Sequence, residues 1–125
     1  MSTRDRLPDR RESDLIEVEH VWRGAHGEVG ETMLVTLGRH ADGRVAEVFI
    51  DYPPRDGERR KSERTMALGR DIAVLISVAL QYGAPLDVLC HAVSREDAYM
   101  LGALKEVPST PVGTVLDALK AEAGI

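Results

Sequence analysis

Between residues 14 and 51 apolar side chains recur at every second position, and beyond Ser62 they recur every three or four. The first pattern belongs to half-buried strands and the second to amphipathic helices. Ile16, Val18, His20 and Trp22 fall on one side of a first strand, with Glu17 and Glu19 on the other. Gly24-Ala25-His26-Gly27 supplies a turn, and a second strand is expected over residues 31–39 with Met33, Val35 and Leu37 on one face. Asp42-Gly43 then signals a hairpin, because glycine accepts the positive φ that such turns demand. Residues 45–51 form the third strand, which ends at Tyr52-Pro53-Pro54 since proline cannot donate to a ladder. Three strands this close in sequence predict an antiparallel meander.

Ser62 is placed as the N-cap of one long helix over residues 62–82. Leu68, Ile72, Leu75, Ile76, Ala79 and Leu80 make its stripe, and Ala73, Val74 and Val78 widen it until burial on more than one side is expected. Gly83 suits the position just past that helix, and Pro85 the first position of another over residues 85–93. Ser94 with Asp97 resembles a capping box, so residues 95–104 read as a short helix or an irregular crossing segment. Pro108-Ser109-Thr110-Pro111 interrupts the chain before a last helix over residues 111–123, whose buried side is Val115, Leu116 and Leu119. Strands first and helices afterwards define an α+β domain. Its expected form is a three-stranded antiparallel meander followed by a long helix and two or three shorter helices packed on one sheet face.

The 125 residues suffice for one core. Residues 1–13 are polar and read as a flexible basic arm, leaving residues 14–125 as a single domain. No apolar run approaches the roughly 20 residues of a membrane span, and the charged start lacks a signal-peptide core, so a cytoplasmic protein is expected. The net charge of −5 is uneven. It leaves the arm, with Arg4, Arg6, Arg10 and Arg11, and residues 55–64 as basic patches on an acidic body.

Catalytic and metal chemistry find little support. Cys90 is the single cysteine, which excludes an internal disulfide or a two-cysteine redox centre. It sits among Val88, Leu89, Ala92 and Val93, a core setting, and its neighbour His91 diverges by about 100° on a helix. His20 and His26 lack a second ligand pair, so no metal site is expected. Glu47 and Asp51 share a strand face but lie about 13 Å apart, too far to couple as acid and base. Gly24, Gly27 and Gly30 lack the following helix of a phosphate loop. The best candidate site is Arg59, Arg60, Lys61 and Arg64, cations before and within the first turn of the long helix, where a phosphate of a nucleotide or nucleic acid would meet backbone N–H groups. One Trp, one Phe and three Tyr are too few for a base-stacking platform.

Two stretches together resemble the TSCPD domain: Ala41-Asp42-Gly43-Arg44 leading into Glu47-Val48-Phe49-Ile50-Asp51, and residues 72–80 continuing into Gln81-Tyr82-Gly83-Ala84-Pro85-Leu86. Arg6-Leu7-Pro8-Asp9-Arg10-Arg11 is similar to the opening of short free-standing members, and residues 108–118 to their ending. The resemblance implies a link to adenosylcobalamin-dependent ribonucleotide reductase, near whose C-terminus the domain occurs. It does not carry the activity over, because one cysteine cannot supply both a thiyl-forming cysteine and a reducible pair. The stretch comparable to the cysteine-bearing motif reads Ser109-Thr110-Pro111, so neither a metal nor another cofactor is expected. The chain is therefore expected to be a non-catalytic accessory module in nucleotide metabolism, docking on a reductase or related protein through its sheet or long helix. The alternative is a small protein that binds nucleic acid or nucleotide phosphate through residues 55–64. A homodimer is also expected, because Val48-Phe49-Ile50 would be hazardous on an open sheet edge.

Overall fold

The computed structural model describes residues 3–8, 12–24, 27–53 and 62–124. Strands β1 (Ser13–Gly24), β2 (Gly27–Arg39) and β3 (Val45–Asp51) are followed by helices α1 (Glu63–Gln81) and α2 (Leu86–Ala92). A second pair of strands, β4 (Arg95–Met100) and β5 (Ala103–Pro108), precedes helix α3 (Pro111–Glu122). The first three strands form an antiparallel sheet in the order β1-β2-β3, and β4 and β5 form a separate two-stranded sheet among the described residues. This is the α+β meander that the alternation predicts, with β3 and α1 at their expected places and β2 beginning earlier, at Gly27.

The register explains the core. Ile16 lies opposite Val35, which lies opposite Ile50; Val18 faces Met33, and Leu37 faces Val48. These residues share one sheet face, on which α1 covers β3 while α3 reaches β1 and β2. Met33, Val35, Leu37, Val48, Val115, Leu116 and Leu119 are fully buried there, each side chain contributing about 1.5–3 kcal/mol by leaving water. Both long helices begin as their sequence dictates. Ser62 Oγ accepts the Thr65 N–H at 3.1 Å, and Thr110 Oγ1 accepts the Gly113 N–H at 3.2 Å with Pro111 at the first position.

Residues 95–104 depart from expectation. They enter a β-hairpin instead of a short helix, and Ser94 and Asp97 cap nothing, since Asp97 pairs with Glu106 across the ladder. The turn is Leu101-Gly102, both at positive φ (52° and 80°), the geometry of a two-residue hairpin that Asn-Gly ordinarily announces. Leucine gives no such signal, and only Ala98 of β4 is buried, so no alternation marks the strand. Pro85 also stands one place earlier than expected, as the residue preceding α2.

The outer edge of β3 is closed by α1. Ser77 Oγ accepts the Val48 N–H at 2.9 Å, and its proton lies between Ala73 O at 2.9 Å and Val48 O at 3.2 Å. One turn on, Gln81 Nε2 donates to Ala46 O at 3.0 Å. Two polar side chains on the apolar stripe thus occupy ladder groups that a further strand would use, a protection of the edge by a helix. Part of the α1 stripe is left uncovered by the described residues: Leu68, Val74 and Leu75 stay exposed, while Ile72 packs half-buried against the core. No described helix is long and apolar enough to cross a membrane.

Replacing Ser77 by alanine leaves the Val48 N–H buried without its acceptor. Urea unfolding should show a loss of roughly 1–3 kcal/mol; an unchanged midpoint would mean that the edge does not depend on this side chain.

Candidate functional site

Arg64 stands exposed in the first turn of α1, while Arg59, Arg60 and Lys61 lie outside the described residues, as do Arg10 and Arg11 of the arm. Arg4 is placed at the other end of the helix, where its Nε donates to Gln81 Oε1 at 2.8 Å. Arg64 and Gln81 are seventeen positions apart along the helix, a span of about 26 Å.

The structure instead draws attention to a cleft of about 450 Å³ at the Gln81 end of α1. One wall is the β2–β3 turn, including His40, Asp42, Gly43 and Arg44, and the other is the corner from Gly83 to Leu86. Each wall is bent by a glycine at positive φ, Gly43 at 90° and Gly83 at 95°, where any other residue would be strained. In the turn, the Gly43 N–H donates to His40 O and the His40 N–H to Arg44 O, both at 2.9 Å. At the corner, the Gly83 N–H donates to Leu80 O and the Ala84 N–H to Ala79 O, both at 3.0 Å, ending the helix.

Charge in the cleft is paired. Arg44 Nε donates to Asp42 Oδ2 at 2.6 Å, and the Arg44 backbone N–H donates to Asp42 Oδ1 at 3.1 Å. The backbone bond first and then the side-chain bond hold the Asp42 carboxyl below its ordinary range, and the side-chain bond raises the Arg44 guanidinium. The arm adds Asp5, whose Oδ2 lies 3.4 Å from Arg44 Nη2 and 3.7 Å from His40 Nε2. The second distance is too long for a hydrogen bond. The Asp5 N–H donates to Gln81 O at 2.8 Å. Gln81 therefore holds the arm, the end of α1 and the edge of β3 together, although its sequence context marks it only as one polar residue in an apolar helix. Asp5, His40 and Gln81 escaped the sequence reading because their meeting is tertiary. The cleft offers a cation braced by carboxylates beside apolar Val45, Leu80 and Leu86, and no nucleophile with a base lines it.

A second polar cluster lies elsewhere on the sheet, with His20 and Glu31 buried and Trp22 exposed. His20 Nδ1 and Thr114 Oγ1 are 2.7 Å apart, and Trp22 Nε1 donates to Glu31 Oε2 at 2.8 Å. The His20 ring meets Trp22 edge-on at 4.6 Å. A hydroxyl beside an imidazole invites a nucleophile–base reading, but His20 Nε2 is buried without the hydrogen-bond partner that an orienting carboxylate would provide. Burial lowers the His20 pKa against the opposing pull of Glu31, with Arg23 adding to the lowering. Cys90 is buried as expected, its Sγ 3.5 Å from Leu116 O, and burial pushes its thiol up, away from thiolate character. The neighbouring cavity of about 340 Å³ is framed by closed ion pairs, Arg95 with Asp117 and Glu106, and Lys120 with Asp87. No cluster of three or more metal-ligating side chains occurs among the described residues.

Comparison with known proteins identifies the family. Residues 7–120 match the TSCPD domain, and the chain belongs to that family. It is 29% identical over 87 residues to a vitamin B12-dependent ribonucleotide reductase of Bradyrhizobium diazoefficiens. It is 30% identical over 89 residues to another from Agrobacterium fabrum. These alignments cover 70% and 71% of the chain but 6% of each reductase, so the chain spans a small fraction of the relatives it matches. No solved structure gives a significant match. The segments that carry the resemblance, Asp42-Gly43-Arg44 and Gly83-Ala84-Pro85-Leu86, are distant in sequence and face each other across the cleft.

Two outcomes are expected. Gln81→Met keeps the backbone carbonyl that the Asp5 N–H uses but removes the acceptor of Arg4 and the donor to Ala46 O, so urea unfolding should show a loss of about 1–3 kcal/mol; an unchanged midpoint would mean that the side chain anchors neither the arm nor the edge of β3. For His20, the folded pKa lies below the ordinary 6.5, so below that pH the unfolded chain takes up a proton that the folded chain refuses. Stability should be flat above pH 6.5 and fall as pH drops toward the folded pKa, by at most about 1.4 kcal/mol per pH unit from this group. His20→Gln should flatten that slope in urea titrations between neutral and mildly acidic pH, and an equally steep slope would assign it to other groups.

Proposed function

We propose that this chain is a non-catalytic cytoplasmic module that associates with a vitamin B12-dependent ribonucleotide reductase or a related protein of nucleotide metabolism. The observation that carries the reading is the family match over residues 7–120, combined with alignment to only 6% of reductases that are far longer. Such a match supports the fold and motivates the association, and function has to be argued from the site itself. Ribonucleotide reduction calls for a thiyl-forming cysteine and a reducible cysteine pair, whereas the single thiol here is buried and raised in pKa. The cleft between the Asp42-Gly43-Arg44 turn and the Gly83–Leu86 corner is suited to recognition: a braced arginine gives direction, and apolar walls give area.

The test is binding of the purified chain to a purified B12-dependent reductase from the same cell, at low and at high salt. Association that survives high salt, and that weakens at least tenfold in Arg44→Ala, is expected. Failure to bind under either condition would sink the reading. The competing reading, phosphate binding by Arg59, Arg60, Lys61 and Arg64, predicts nucleic-acid affinity that falls steeply with salt and disappears when the first three are replaced by alanine.

A further inference from the structure

The exposed side of α1 carries a seam that the described residues leave partly uncovered, with Ile72 and Ala79 half-buried along it and Ile72 packed against the core. Leu68, Ile72, Leu75, Ala79 and Tyr82 follow one another at intervals of four, three, four and three. That is the spacing by which one helix packs along another. The seam continues for about 21 Å without a charged residue at any of its own positions. Leu68 is 62% exposed, Leu75 67% and Tyr82 47%, with Val74 at the margin 52% exposed. Together these four present roughly 400 Å² of surface, the scale of patch that marks an interaction site.

We propose that the seam pairs with the same seam of a second copy of this chain, the two α1 helices running antiparallel about a two-fold axis between Ala73 and Val74. This goes beyond the reductase association and does not depend on it. Three observations select the occupant. First, one route to a dimer, pairing at the edge of β3, is blocked by the bonds from Ser77 and Gln81 to Val48 and Ala46.

Second, the antiparallel register matches volumes: Leu68 of one copy meets Ala79 of the other, and Ile72 meets Leu75, so a large residue faces a small one at each end of the seam. Third, the charges complement. Arg64 lies four residues before Leu68 on the same side of the helix, and this register brings it to the Gly83 end of the other copy's α1. The last turn of α1 contains no basic residue of its own, and a cation there meets the negative end of the helix dipole. A parallel pair would set Arg64 near Arg64 and align the two dipoles unfavourably.

Sedimentation equilibrium from micromolar to sub-millimolar concentration should show the mass rising from 13.7 kDa toward twice that value. Leu75→Glu, a change at an exposed position, should hold the mass at the monomer value with an unaltered circular dichroism spectrum. The double variant Leu68→Cys with Ala79→Cys should form a covalent dimer without reductant, since the two positions are too far apart along one helix to join within a chain. A wild-type chain that stays monomeric throughout would overturn the proposal, including where Leu75→Glu abolishes reductase binding and thereby assigns the face to that partner. A dimer that Leu75→Glu leaves intact, or one cross-linked by Leu68→Cys alone and not by the pair, would overturn it as well.

Discussion

The hydrogen bonds from Ser77 to both backbone groups of Val48 are the contact on which the rest of the architecture leans. A three-stranded sheet has two edges, and an edge strand as apolar as β3 is an invitation to further pairing. By placing Ser77 and Gln81 a turn apart on the face that meets β3, the chain turns a helix into a partial substitute for a fourth strand. Apolar contact alone would allow α1 to slide along the sheet, because dispersion is indifferent to register. Bonds to Val48 and Ala46 remove that freedom, and with the helix held in place its last residue and the corner beyond it are positioned against the β2–β3 turn.

The cleft follows from that placement. Its two walls come from segments about forty residues apart, and neither has a recognisable function alone. Gly43 reverses the chain between strands and Gly83 ends a helix, each by a backbone conformation that ordinary residues resist. Joined by Gln81 and strapped by Asp5, they hold an arginine between two carboxylates at the mouth of an apolar recess. The reductases that the chain aligns with are far longer than the matched segment. It also gives the arm a defined contact at residues 4 and 5, through Gln81, in a stretch whose composition is otherwise that of solvated chain.

Much of the fold was legible because its signals are local. Alternation marked the three strands, Asp42-Gly43 their second turn, and Ser62 the start of α1. The environment of Cys90 was legible too, since its apolar neighbours within one helix already describe burial. The β4–β5 hairpin was not, because Leu101-Gly102 is an unusual pair for its turn and only Ala98 of β4 faces inward. Of the predicted basic site only Arg64 lies within the described residues, exposed in the first turn of α1. The residues that build the cleft were read instead as a turn, a helix end and the marks of a family.

The amino-acid order by itself determined the element types, the caps, the inward face of the sheet and the excess of apolar side chains around α1, since each depends on periodicity within about a dozen residues. Only the tertiary structure decided which side of that helix the core would take. Several residues around it are apolar enough to be buried, and the choice fell to Ser77 and Gln81, whose hydrogen bonds are useful only against the edge of β3. The same choice left Leu68, Leu75 and Tyr82 facing outward and brought Arg44 to the corner at Gly83. Distances of that kind belong to packing between elements, where no spacing along the chain records them.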